Sequence, residues 1–205
     1  MYSGRILTRH SEGKKIRGTN DRDRLFGNGD SDSRVYGNDD RDYINGMAGN
    51  DALYGGAGDD TLIAGKGFDV LVGGSGNDTL VGGGGLNILE GGDGDDYFLI
   101  QNHDRHISKN NLFLEAGRDI VSWKDRYHES KHIVEIFDFN PKEDKIVFNG
   151  NMDDYQLLEK SGTRHGTEIT ANNAKGDGLG TVFIQHQLDM NLNGDYFVFA
   201  DTALP

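Results

Sequence analysis

The sequence predicts an all-β chain: a parallel β-roll with two nine-residue phrases to each coil, followed by a β-rich C-terminal cap. Three observations lead there. Between Gly46 and Leu99 one nine-residue phrase repeats without a break, and its cleanest copies begin at Gly55, Gly73 and Gly91. Each copy sets a glycine-rich turn and an aspartate ahead of one large apolar residue, so Leu53, Leu62, Leu71, Leu80, Leu89 and Phe98 fall at intervals of nine. After Leu99 the period stops, and short runs rich in β-branched and aromatic residues take over. Fixed-period self-similarity marks a solenoid in which no single repeat buries itself and neighbours stack.

The period extends backwards through Ile44 and Val35. One extra residue separates Leu25 from Val35, and Ile16 lies nine before Leu25. The roll is therefore expected over about residues 9–99, with degenerate coils at 9–45, regular coils at 46–99 and a first domain of residues 1–99. Within each phrase the Gly-x-Gly turn needs backbone angles that side chains resist, and the three residues after it form a strand with its central side chain inward. Two phrases make an eighteen-residue coil with two strands facing each other across a thin leucine core. A flexible Gly-Asp linker has no reason to place a large apolar residue at every ninth position.

Residues 100–205 are expected to form the cap. Ile100 to Lys131 reads as irregular and polar, with Leu112-Phe113-Leu114 and Ile120-Val121 as apolar islands. Strand signals return at Ile133–Phe139, Lys145–Phe148, Thr167–Thr170, Gly180–Ile184 and Asp195–Phe199. Such a cap would cover the open end of the roll, where strand edges invite pairing with another chain.

Composition narrows the function. Against 21 basic residues stand 34 acidic ones, a net charge of −13, which makes nucleic acid an unsuitable partner. No cysteine is present, so disulfides and thiolate metal sites are excluded. No apolar run approaches the roughly 20 residues of a transmembrane helix, and the stretch from Met1 to His10 lacks the apolar core of a secretory signal. With 31 glycines and few large apolar residues, the chain needs something besides a hydrophobic core to order it.

A hard divalent cation is the natural candidate. Calcium takes six to eight oxygen ligands, and a glycine-dense turn aims successive carbonyls while aspartate adds charge. On these residues the chain resembles the repeats-in-toxin (RTX) family, the calcium-binding β-roll of bacterial proteins exported by type I secretion. The resemblance implies several Ca²⁺ ions, each between same-side turns of adjacent coils. The earlier turn gives positions two, four and six, and the later turn one, three and five. It implies one ion among Gly56, Gly58, Asp60, Gly73, Ser75 and Asn77, and a second among Gly74, Gly76, Asp78, Gly91, Asp93 and Asp95. A third joins Asn38, Asp40 and Asp42 to Gly55, Ala57 and Asp59. On the opposite edge, Met47, Gly49 and Asp51 meet Ala64, Lys66 and Phe68, while Gly65, Gly67 and Asp69 meet Gly82, Gly84 and Leu86. Phe68 and Leu86 stand where the first edge has Asp59, Asn77 and Asp95, and Asn87 replaces a position-six aspartate, so two tiers of sites are expected. Nearer the start, Arg22, Arg24, Arg34 and Arg41 offer charge neutralisation without metal.

Two further segments bear on function. Phe137-Asp138-Phe139 with Asp144-Lys145-Ile146, and the closing Asp195–Ala200, resemble segments that follow the roll in this family, which implies a type I export signal near the end. His128-Glu129-Ser130-Lys131-His132 matches the zinc-protease pattern His-Glu-x-x-His. It runs into a strand, and Glu135 and Asp138 stand where a metzincin needs Gly and His, so it is read as an incidental loop. His103-Asp104-Arg105-His106 and Trp123 are read as surface loop and cap packing.

The leading expectation is a secreted, extracellular, non-enzymatic module that binds calcium, folds on it after export, and has the type I secretion machinery as a partner. A second is a module for an anionic polysaccharide such as alginate, because the roll-plus-cap plan is similar to the R-modules of mannuronan epimerases. That reading looks to Ser161–Arg164 and to a basic stripe from Lys109, Arg118, Lys124, Arg126, Lys131, Lys142, Lys145, Lys160 and Arg164. A third is the C-terminal piece of an RTX enzyme or adhesin.

Overall fold

The computed structural model describes residues 6–8, 15–29, 32–101, 108–123, 132–149, 155–160, 166–172, 178–185 and 197–200. In it the nine-residue period becomes two facing columns of parallel strands. One face holds β1 (Ile6–Thr8), β3 (Arg24–Phe26), β5 (Tyr43–Asn45), the starts of β7 (Thr61–Ser75) and β8 (Thr79–Asp93), and β9 (Tyr97–Ile100). The other holds β2 (Lys15–Arg17), β4 (Arg34–Asp39), β6 (Ala52–Ala57) and the later parts of β7 and β8. The two long strands pass through both faces and the turn between them.

The apolar marker residues stack in register. Leu62 lies on Leu80 and Leu80 on Phe98, while Leu53 lies on Leu71 and Leu71 on Leu89. All are fully buried, and burying each such side chain stabilises by about 1.5–3 kcal/mol. The expected one-residue slip is present: Ile16 pairs with Val35 and Leu25 with Ile44, each nineteen apart, while Val35 pairs with Leu53, eighteen apart. The roll begins earlier than residue 9, because Leu7 in β1 pairs with Leu25.

The larger correction comes after Leu99. Residues 108–116 and 120–123, read from sequence as irregular, are β10 (Ser108–Ala116) and β11 (Ile120–Trp123), and they pair in parallel with β8 and β9. The parallel ladder continues through β12 (His132–Ile136) and β13 (Lys145–Asn149). After β14 (Tyr155–Lys160) and β15 (Gly166–Asn172) it reaches β16 (Gly178–Gln185) and β17 (Phe197–Ala200). Here β14 and β15 form an antiparallel hairpin, and β15 pairs antiparallel with β16. Leu112, Val121, Ile136, Ile146, Phe148 and Ile184 carry the buried column onward. The coil grows from eighteen residues to 23 and then 25 between corresponding turn aspartates, which erases the period from the sequence while strand pairing persists.

Candidate metal centre

The turns line the two edges of the roll. On the first edge, residues 55–60, 73–78 and 91–96 put positive φ at positions two and four, as at Gly56 (120°) and Gly58 (123°). This conformation points the carbonyls of one turn toward the next coil. A Cβ at Gly74 would run into Gly56 O, and one at Gly76 into Gly58 O. Only glycine lets these coils close. Asn38 (φ 92°), Asp40 (68°) and Met47 (80°) take the same conformation with side chains, at about 1–3 kcal/mol each, least for Asn and Asp.

Position six makes a column. Asp42, Asp60, Asp78 and Asp96 are each at most 2% exposed. The N–H of each donates to Oδ1 of the next: Asp42 to Asp60 at 2.6 Å, Asp60 to Asp78 at 2.7 Å, and Asp78 to Asp96 at 2.7 Å. One oxygen of each carboxylate is thereby used. The other, Oδ2, is buried with no hydrogen-bond partner among the described residues. It sits beside a carbonyl of the next coil: a Cβ built on Gly55 would meet both Asp60 Oδ2 and Gly73 O. Asp78 Oδ2 stands the same way to Gly91 O, and Asp42 Oδ2 to Gly55 O.

The electrostatics agree. Burial, ahead of neighbouring charge, holds the Asp78 carboxyl up at about 7, and the hydrogen bond from Asp60 N–H offsets only part of this. Burial likewise raises Asp42 to about 7, and Asp60 and Asp96 to about 6. An unpaired buried carboxylate costs several kcal/mol unless it is protonated or meets a cation. The donor set fits a hard cation: one buried carboxylate oxygen and several carbonyl oxygens per gap, with no sulfur or imidazole. Among the described residues no three His, Cys, Asp or Glu side chains gather as a metal cluster, so main-chain oxygens must supply most ligands.

The expected first-edge sets are thus brought together, with a shift in who does what. Ser75 O and Asp93 O, at position three, already accept the N–H of Gly58 and Gly76, leaving one lone pair each. At position five the side chains tie coils to one another. Asp59 accepts from Asn77 N–H and pairs with Arg41 at 3.0 Å, Asn77 Oδ1 accepts from Asp95 N–H, and Asp95 pairs with Arg118. The hydrogen bonds from Asn77 and Arg41 hold Asp59 below the usual carboxylate range, and those from Arg118 do the same for Asp95. What Phe68 and Leu86 forgo on the second edge is therefore this inter-coil acceptor. Asn50 Oδ1 accepts Phe68 N–H, and the ladder stops at Phe68, which is 61% exposed.

The second edge keeps the carboxylate column only in part. Ser33 N–H donates to Asp51, Asp51 N–H to Asp69, and Asp69 N–H to Asn87, whose amide donates to Asn110. The Oδ2 atoms of Asp51 and Asp69 are buried without a partner among the described residues, and burial raises each carboxyl to about 6. The expected Met47 O already accepts Lys66 N–H at 3.1 Å, and Lys66 O accepts Gly49 N–H. A Cβ on Gly83 would run into Gly65 O and one on Gly85 into Gly67 O, so positions two and four of this turn are Gly83 and Gly85, alternating with the expected Gly82 and Gly84 at positions one and three.

The first turn closes without an orphan oxygen. Asp23 Oδ2 accepts from Thr19 N–H and hydroxyl, and the Asn38 amide donates to Gly18 O and Thr19 O. Of the nearby basic residues, Arg41 pairs with the Asp59 carboxylate of the next coil, while Arg24 lies over Tyr43.

Sequence reasoning missed the continuation of the column. Asp96 N–H donates to Asp119 Oδ1 and Asp119 N–H to Asp144 Oδ1. Asp96 was legible as position six of the third clean copy, whereas Asp119 lies beyond the period. His128–Lys131, His103–His106 and Ser161–Arg164 lie outside the described residues, as do Lys124 and Arg126, while His132 opens β12. Within the expected basic stripe, Lys109 pairs with Glu135 at 3.0 Å and Arg118 with Asp95.

The profile of the RTX calcium-binding nonapeptide repeat matches residues 15–33, 36–71 and 72–99, in four copies. Among curated proteins no match is found. Twelve chains of solved structures match, among them the AlgE6R3 subunit of the mannuronan C5-epimerase of Azotobacter vinelandii in solution. It is 22% identical over 86% of this chain and 84% of that one, with a TM-score of 0.40.

Proposed function

From a roll built of RTX calcium-binding nonapeptide repeats, we propose a non-enzymatic, extracellular module that folds as it binds several Ca²⁺ ions, after export by a type I route. One observation carries this reading: the column of buried first-edge aspartates, each with one oxygen accepting the N–H of the coil before it and the other without a partner among the described residues. Stacking the coils brings these carboxylates out of water in a row, a cost the unfolded chain does not bear. Bound Ca²⁺ supplies the positive charge that offsets it. Asp42, Asp60 and Asp78 contribute the anionic oxygens, and the carbonyls of positions one, two and four, held by the glycine conformations, complete each set. The three first-edge sets form one tier; Asp51 and Asp69, with fewer inter-coil bonds around them, form a second.

Magnitudes set where the switch operates. Extracellular calcium modules bind at roughly 10⁻⁴–10⁻³ M, so cytosolic calcium leaves the chain unloaded. Millimolar calcium stabilises the fold by about 1 kcal/mol per site, and sites that share turns make binding and folding one event. Residues 1–99 carry the ion chemistry, and residues 100–205 carry the export signal. The test is circular dichroism during a calcium titration: strand content should rise with Ca²⁺ and collapse on chelation. Equal content in both conditions overturns the switch. Export is read separately, by whether residues 100–205 carry a passenger through a type I secretion system.

A further inference from the structure

The repeat profile stops at residue 99, but the turn geometry does not. Residues 114–119, Leu-Glu-Ala-Gly-Arg-Asp, share only a glycine and an aspartate with the nonapeptide. The β8–β10 register sets Glu115 on Gly92 and Ala116 on Asp93, so this segment lies on residues 91–96 position for position. Glu115 (φ 68°) and Gly117 (φ 151°) take the left-handed conformation of positions two and four. Gly94 N–H donates to Ala116 O at 2.8 Å, as Gly76 N–H does to Asp93 O at 2.8 Å in the regular coil below. A Cβ on Gly117 would run into Gly94 O, the same relation that Gly94 has to Gly76 O.

The acidic side chain is in place as well. Asp96 is 2% exposed, and its Oδ1 accepts Asp78 N–H. Its Oδ2 is buried without a partner among the described residues. A Cβ on Gly91 would meet both Asp96 Oδ2 and Leu114 O, which is how Asp78 Oδ2 and Gly91 O meet at Gly73. Arg118 binds Asp95, position five of the lower turn, as Arg41 binds Asp59 two coils earlier, so the rim carboxylate is spent on an arginine. Of the lower turn's position-five and position-six carboxylates, Asp96 is the one left to face the gap.

We propose that this gap holds one more Ca²⁺ ion, taken by Gly92 O, Gly94 O and Asp96 Oδ2 from the last repeat and by Leu114 O, Ala116 O and Arg118 O from the irregular turn. The inference rests on the calcium reading above. Its consequence is that the ion column crosses the end of the repeats and ties the second half of the chain to the roll, so both halves order in one event.

The experiment uses the whole chain and Tb³⁺ as a calcium substitute, with ions counted by native mass spectrometry. Trp123 is the only tryptophan in the sequence and its backbone position is four residues after Asp119 in β11, which makes it the sensitiser to use. D96N should bind one ion fewer than wild type and lose tryptophan-sensitised terbium emission. D60N should also lose one ion but keep that emission. Unchanged ion count and emission in D96N, with D60N reduced, overturns this site alone. A wild-type chain that binds no ions overturns the calcium reading itself. If D96N does not fold, anomalous scattering from Tb³⁺ in wild-type crystals decides. A peak between residues 91–96 and 114–119 supports the site, and its absence beside peaks in the three gaps below overturns it.

Discussion

The two edges of the roll are built from one backbone and diverge in charge. On the first edge position six stays aspartate from Asp23 through Asp42, Asp60, Asp78 and Asp96 to Asp119 and Asp144, each N–H bonded to the next carboxylate. On the second edge the same position runs Ser33, Asp51, Asp69, Asn87 and Asn110, so that the column begins and ends neutral. Both columns carry the coil-to-coil hydrogen bond, since any side-chain oxygen accepts an N–H; at the last step of the second edge the donor is the Asn87 side-chain amide. Only the first keeps a second oxygen unpaired in nearly every coil. Coil stacking and cation binding are thus separate demands on one position, and the second edge has kept the first demand while relaxing the other.

The largest expected effect is on pH dependence. Burial holds the carboxyls of Asp42, Asp60, Asp78, Asp96 and Asp119 at about 6 to 7 in the fold, against 3.8 for an ordinary aspartate, so the folded roll holds protons that the unfolded chain has released. In chelator that stability is complete below pH about 4 and is lost as pH rises through 6 to 7. Thermal midpoints in chelator should therefore be higher at pH 5 than at pH 8. With calcium the sign reverses, because protons compete for the same oxygens and the calcium midpoint rises as pH falls below 7. D60N/D78N should flatten the chelator profile somewhat more than D51N/D69N, since Asp78 is raised to about 7 while Asp60, Asp51 and Asp69 are each raised to about 6. Equal thermal midpoints at pH 5 and 8 would sink the argument.

Core truncation provides the control that ignores the edges. Leu71 and Leu80 follow turns on opposite edges and are both fully buried. Leu71→Ala and Leu80→Ala should each cost about 2–5 kcal/mol in urea denaturation, and by similar amounts. A clear inequality would mean that one edge, not the shared core, carries the roll.

Next in size is the hydrogen-bond acceptor itself. In millimolar calcium Asp78→Ala should cost about 1.5–3 kcal/mol, the range for a bond to a charged group, and Asn87→Ala about 0.5–1.5 kcal/mol. In chelator the order should narrow or invert, because Asp78→Ala also removes a buried charge. Two variants that respond alike in both conditions would show the edges to be equivalent.

The smallest effect repairs the second edge. Phe68→Asn gives Leu86 N–H the acceptor that Asn77 gives Asp95 N–H, and should stabilise by about 1 kcal/mol. A loss instead, read from the denaturation midpoint, would show that the exposed phenyl ring packs usefully where it stands.

Much of this was legible in residues alone. Leu53 to Phe98 at nine-residue spacing announce a column, and Gly56, Gly58, Gly74 and Gly76 announce the turns whose carbonyls face the next coil. The slip between Leu25 and Val35 could be counted and appears in the register. The role of position five could not be read, because Asp59, Asn77 and Asp95 suit a ligand as well as they suit an inter-coil acceptor. Which role they fill depends on the N–H groups eighteen or 23 residues away.

What the sequence determined by itself was the coil: its period, the inward residue and the conformation of each turn, because these are local demands of backbone sterics and of a buried face. Only the tertiary structure decided where the coil stops. Between Leu89 and Leu112, and between Val121 and Ile146, the connections vary in length, so no fixed spacing survives to be counted. Parallel pairing is indifferent to connection length, and Asp119, invisible as a repeat, falls into the column because β10 must lie on β8.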